Sequence, residues 1–219
     1  MRSPASQGPG SSPGRTGRPR VRYRLVAAAV ILVALGTVTA VTVFSSRSRP
    51  TAIQKRTDFK TMVRTLRSDL AGCNSRASAA ISAWQRVVRG SESTARAEKA
   101  AQTAARACTP DTDSAVWELT LYSVPSSLRS LHLNYAVSCL GVWAQEDVQP
   151  AMAVEEDLLH HPGDQSRITT FQRLAGWAAG NRASANSTLR RAARKLGIAS
   201  FIPISLTSLA GAGLPLSPR

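Results

Sequence analysis

The chain has 219 residues and carries 28 Lys and Arg against 13 Asp and Glu, a formal net charge of +15. The residues beyond position 44 suffice for one domain of ordinary size, and their basic balance selects anionic partners such as lipid headgroups or wall polymers. Nucleic acid is the partner least suited to it, because the basic residues are scattered along the sequence instead of clustered with aromatics.

Residues 1–24 are rich in Pro, Gly, Ser and Arg, contain no acid, and are expected to form a disordered basic tail on the cytoplasmic side. From Leu25 to Phe44 no side chain is charged. A helix of that length reaches ~30 Å, the thickness of the hydrocarbon core of a bilayer, so the segment over 25–44 predicts a single transmembrane helix. Basic residues flank both of its ends almost equally. Asp58 downstream, the usual orientation of a first helix and the distal cysteines together place the N-terminus inside and the rest of the chain outside. The competing expectation is an export signal, with Leu25 to Leu35 as its apolar region and cleavage after Ala40, which would release a soluble helical factor. Apolar character continues to Phe44, which favours the retained anchor.

Beyond the segment, Phe59, Val63, Leu66, Leu70, Cys73, Ala77, Ala80, Trp84 and Val87 recur at spacings of three and four, which predicts a long one-faced helix over about 53–89. Gly90 ends it. A second helix over about 92–108 has a face of Ala97, Ala101, Ala104 and Cys108, small enough for a tight hairpin on the first, and Thr109-Pro110-Asp111 stops it. A short apolar helix is predicted over about 112–123, broken by Pro125. One helix over 126–148 is then expected to bury two stripes: Leu128, Leu131, Tyr135, Cys139 and Val142, and Leu133, Val137, Leu140 and Ala144. It would be the centre of the bundle. Pro150 is expected to kink the chain or to begin a new helix running to about 160. After the turn His161-Pro162-Gly163-Asp164, a last helix over about 165–196 buries Ile168, Phe171, Leu174, Ala178, Ala185, Leu189, Ala192 and Leu196, with Gly197 as its C′ residue.

The tail over 201–219 has no helical period, yet Phe201, Ile202, Ile204, Leu206 and Leu209 are too apolar for a free chain, so part of it should lie along the bundle. The fold class read from this pattern is all-α: a single N-terminal transmembrane helix followed by an antiparallel bundle of four to six helices over 45–200.

In a hairpin turning near residue 91, Cys73 and Cys108 stand at the same height on the apolar stripes of their helices, which predicts a disulfide between them. Cys139 is left as a buried thiol. The 24 arginines against 4 lysines, with heavy use of alanine, read as the codon bias of a high-GC bacterial genome rather than a device for one ligand.

Motifs that would specify a reaction are missing. The sequence has no Gly-x-Ser-x-Gly turn, no glycine-rich phosphate loop, no dinucleotide fingerprint and no Cys-x-x-Cys pair. Glu155-Glu156-Asp157-Leu158-Leu159-His160-His161 is the one dense group of possible metal ligands. Glu156 and His160 are i, i+4 neighbours, so they are weak metal candidates in the alternative of a metal-dependent enzyme. A site needs three or four ligands, and the expected reading is a solvated helix end whose residues satisfy one another. Trp84, Trp117, Trp143 and Trp177 fall on apolar helix faces and are expected to anchor the core. The stretch from Trp117 to Leu140 concentrates large residues around a proline, which reads as the bundle centre or as a groove for a partner helix or a lipid-like ligand. The function expected from the whole is binding or scaffolding at a bacterial cell envelope, with membrane lipid and an anionic envelope component or protein as partners, and neither catalysis nor a cofactor.

Overall fold

The structure, a computed structural model, describes residues 49–111 and 114–212. The predicted tail over 1–24, the predicted transmembrane helix over 25–44, the candidate cleavage site at Ala40 and the last residues of the chain lie outside them. Among the described residues no helix is long and apolar enough to cross a membrane.

Six α-helices and no strand make up the described residues: α1 (Ala52–Val88), α2 (Thr94–Cys108), α3 (Ala115–Leu121), α4 (Asn134–Val142), α5 (Gln149–His160) and α6 (Gln165–Lys195). All six belong to one unit, Pro50–Arg219. Helix α1 starts at Thr51, whose Oγ1 accepts from the Gln54 N–H at 3.1 Å. It ends in a Schellman motif: the Ser91 N–H reaches the Arg86 carbonyl at 2.8 Å and the Gly90 N–H reaches Val87. That geometry needs a left-handed residue, and Gly90 supplies it at φ 73°. The turn sends α2 back along α1. Ala97, Ala101 and Ala104 are fully buried between the helices, so the two backbones approach closely, and Cys73 is bonded to Cys108 across them.

The region from 126 to 160 departs from the sequence reading. A continuous helix over 126–148 is not formed. Ser126–Leu131 is a 3-10 helix, ended by His132 in the left-handed region at φ 53°, and the α-helix begins only at Asn134. Tyr135, assigned to a buried stripe, is 60% exposed as a result, because the break at His132 uncouples the phase of 134 onward from that of Leu128 and Leu131. At Pro150 the expected new helix is present: α5 begins at Gln149 with Pro150 in its first turn and ends at His160. The chain reaches it without a break, in continuous helical structure from Asn134 through a π-helical segment at Trp143–Val148. There the Gln149 N–H bonds the Ala144 carbonyl five residues back. The extra residue in that turn absorbs a ring that would strike the carbonyl four residues before it, and the lost donor at 150 disrupts no regular α-ladder.

This long helical rod lies against α6, with α2 along its later half and α3 beside its first turns. Helix α6 starts at Asp164, whose Oδ1 accepts from the N–H groups of Ser166 and Arg167, and it ends in a second Schellman motif at Gly197 (φ 66°), with the Ile198 N–H on the Ala193 carbonyl at 2.9 Å. Trp84 and Trp143 are buried, as core anchors should be. Trp177 is not: it is 53% exposed, and its ring is covered by the Arg173 guanidinium at 5.3 Å. The smaller Leu174, Ala175 and Ala178 take the inward face of that stretch of α6.

Residues after Ile198 run back over α1 and α6 as an extended strap. Ile204, Leu206 and Leu209 are buried, and the Phe201 ring meets Phe59 with centroids 5.9 Å apart. Polar side chains of the helices hold the strap by its backbone. Asn186 both accepts from the Ile204 N–H at 2.8 Å and donates to its carbonyl at 3.0 Å, Arg182 donates to the Leu206 carbonyl at 2.9 Å, and Asn74 accepts from the Thr207 N–H at 2.6 Å. Replacing Asn186 by alanine strands both groups of Ile204 and is expected to cost about 1–3 kcal/mol. Limited proteolysis should then cut between Ala199 and Ile204 before the helices unfold, and unchanged cleavage in Asn186→Ala would show that the side chain does not hold the strap.

Candidate functional site

The short helix α3 and the turn after it create an opening on the surface of the bundle. Ser114 caps α3, its Oγ accepting from the Trp117 N–H at 3.1 Å, and Val116 and Leu119 are buried beneath it. Leu121, at the end of α3, is 64% exposed. The chain then turns extended at Tyr122 and leads into Pro125. Leu128 is buried inside the 3-10 turn, and Ser127 ties the turn to α1 by donating from its hydroxyl to Asp58 at 2.5 Å.

Between these segments and the start of α4 lie two adjoining cavities that share Tyr122 and Asn134. One, of ≈ 560 Å³, is bounded by Val124, Arg129, His132 and Tyr135. The other, of ≈ 330 Å³, runs along Leu119, Val137 and Gly141 to Gln145 and Glu146 at the π-helical segment. Both volumes are in the range that small ligands or a few side chains of a partner occupy. Gly141 lines the second cavity, and a Cβ there would fit, meeting Leu119 Cδ2 at 4.0 Å.

The two ends differ in charge. Arg129 and His132 border the wider cavity, and Glu146 ends the narrower one. Asp69 of α1 lies near Tyr122 and near Glu118 of α3. Burial pushes the Asp69 carboxyl above its ordinary value and Glu118 pushes it further, and one of its oxygens, Oδ2, is buried without a hydrogen bond. The Tyr122 phenol is likewise raised, by burial first and then by Asp69. Walls that mix apolar and polar side chains, with Arg129 at one end and Glu146 at the other, suit recognition of an amphipathic segment or small amphiphile.

The stretch from Trp117 to Leu140 thus divides. Leu119, Leu128, Leu133, Val137 and Leu140 are buried in the core, while Leu121 and Tyr135 stand exposed beside the opening. Elsewhere, the metal candidates are turned to other work. Glu156 accepts from Gln102 Nε2 at 2.8 Å, and His160 Nε2 lies 3.5 Å from Glu98, both partners being on α2. Asp157 pairs with Arg167 of α6 at 3.3 Å. Among the described residues no three His, Cys, Asp or Glu side chains come together as a metal site.

One member of that acidic run contradicts its reading as a solvated helix end. Glu155 is 0% exposed, neither carboxylate oxygen has a hydrogen-bond partner, and burial pushes its carboxyl up to about 8. Asp147, two turns earlier on the same face, is also buried, and its carboxyl is raised by burial although Asn181 donates to it at 2.7 Å. The spacing of 147, 151, 155 and 158 with apolar Ala151 and Leu158 was the signal for this; the acidic neighbours at 156 and 157 obscured it.

The chain matches no protein-family model, no curated protein and no solved structure.

Proposed function

We propose that the chain is a single-pass membrane-anchored protein of a bacterial cell envelope whose helical unit binds a partner outside the membrane. The observation that carries the binding role is the pair of adjoining cavities at Tyr122 and Asn134, with exposed Leu121 and Tyr135 beside them. The uncharged stretch from Leu25 to Phe44 supports the anchor, and a disulfide between Cys73 and Cys108 supports an oxidising compartment for the unit. The reading is one of recognition, and catalysis is not part of it.

The test is a photo-crosslinking amino acid placed at Tyr135 or Leu121 in intact cells, with Lys99, exposed on the outer face of α2, as the control position. A discrete adduct from 135 and 121 and none from 99 is the expected result; equal labelling of all three, or of none, removes the groove as the binding site. Gly141→Ala sharpens the test. It fits within the available space, should raise stability by about 0.5–1 kcal/mol as a helical Gly replacement, and should weaken the adduct by narrowing the cavity. The mass of the mature N-terminus checks the anchor, since a chain beginning at Val41 is the released factor instead.

A further inference from the structure

Charge is distributed unevenly between the two ends of the helical unit. At the end that holds the α1–α2 turn and the start of α6, basic and acidic side chains are mixed and joined. Arg86 and Arg96 hold Glu92, His160 meets Glu98, and Arg167 bridges Asp157 and Asp164. Every ion pair among the described residues is at this end. At the opposite end the last turns of α6 lie beside the first turns of α1, where Arg56 Nε donates to the Leu196 carbonyl at 2.7 Å. This end carries Lys55, Arg56 and Lys60 on α1 and Arg190, Arg191, Arg194 and Lys195 on α6, none in an ion pair among the described residues. The nearby acid is Asp58, which is occupied by Ser127. Ile53 is exposed in the first turn of α1 at this end.

Local helix energetics account for only part of this. Arg194 and Lys195 offset the negative end of the α6 dipole, but Arg190 and Arg191 lie before the last turn. Lys55 and Arg56 follow directly on the first turn of α1, where the dipole disfavours a cation, and that first turn has no acid. Their concentration gives this end a positive field that attracts an anionic surface.

We propose that this end of the unit is a docking surface for an anionic phospholipid bilayer, with the cations on headgroup phosphates and Ile53 entering the interface. The inference rests on the reading of residues 25–44 as a membrane anchor, which keeps the start of α1 within reach of the lipid: the seven residues from 45 to 51 extend at most ~25 Å. Tethering makes the contact intramolecular, so a modest attraction per charge is sufficient.

The full chain is reconstituted into phosphatidylcholine vesicles with and without phosphatidylglycerol, carrying a fluorophore on Ala199→Cys at the cationic end or on Ser91→Cys at the other. Quenching by headgroup-labelled lipid reports contact. Docking predicts quenching at 199 that appears with phosphatidylglycerol, is reversed by high salt, and is absent at 91. Each Arg→Gln change should reduce the docked-to-free ratio about fivefold, so Arg190→Gln, Arg191→Gln, Arg194→Gln and Lys195→Gln together should abolish it. Quenching that ignores lipid charge, survives the fourfold variant or is equal at 91 overturns the docking. Alkaline extraction of the same vesicles separates the two readings. A chain stripped from the bilayer refutes the anchor and the docking with it, whereas a retained chain without phosphatidylglycerol dependence refutes the docking alone.

Discussion

Reducing the bond between Cys73 and Cys108, or replacing both residues by alanine, is expected to lower the stability of the helical unit by about 4 kcal/mol. The bond closes a loop with a sequence separation of 35, and the entropy that such a closure removes from the unfolded chain sets the magnitude. Both sulfurs are buried between α1 and α2, so the double alanine variant also leaves a small void in the apolar seam. Denaturant unfolding followed by tryptophan fluorescence, with and without reductant, measures the difference; buried Trp84 and Trp143 provide the signal. Alkylation under denaturing, non-reducing conditions should find one free thiol, Cys139. Three free thiols, or a transition indifferent to reductant, would rule out the cross-link and weaken the case for an oxidising compartment.

The second large effect concerns Glu155. In the folded protein its carboxyl is held neutral up to about pH 8, whereas the ordinary value is 4.5. A raised folded-state value means that the native state binds the proton more tightly than the unfolded chain does. The associated stability is complete below about pH 4.5, is lost progressively as pH rises toward 8, and changes no further above that. Relative to a group that does not ionise, Glu155 then costs about 3 kcal/mol at pH 7. Glu155→Met, similar in volume and without the charge, should stabilise the unit at neutral pH by about that amount and flatten the pH dependence. Unfolding midpoints at pH 5 and pH 8.5 make the comparison. Asp147 and Asp69, both raised by burial, contribute in the same direction, so a residual slope of that sign is expected in the variant. An identical pH slope in Glu155→Met and in the native chain would falsify the burial of an unpaired carboxyl there.

The helical hairpin, its cross-link and the two helix ends at Gly90 and Gly197 were legible from the order of residues alone. They obey local rules: a repeat of three and four residues fixes the face of each long helix, a left-handed glycine fixes its end, and equal distances from a turn fix which cysteines meet. The apolar residues at 204, 206 and 209 also announced their burial, since no solvated tail would carry them so densely. The region between 126 and 160 and the outer face of α6 were settled instead by packing. The break at His132 and the π-helical segment before Pro150 each rotate the later residues relative to the preceding stripe, and a period counted along the sequence does not register such a shift. Tyr135 therefore faces outward beside the cavities. Asp147 and Glu155 lie inside the bundle on a spacing that they share with Ala151 and Leu158, a pattern masked by the acidic residues at 156 and 157. Whether a side chain at a given phase meets solvent or a neighbour depends on helices distant in sequence. That is why Trp177 lies outside under Arg173 and a carboxylate from an acidic run lies inside with no hydrogen-bond partner.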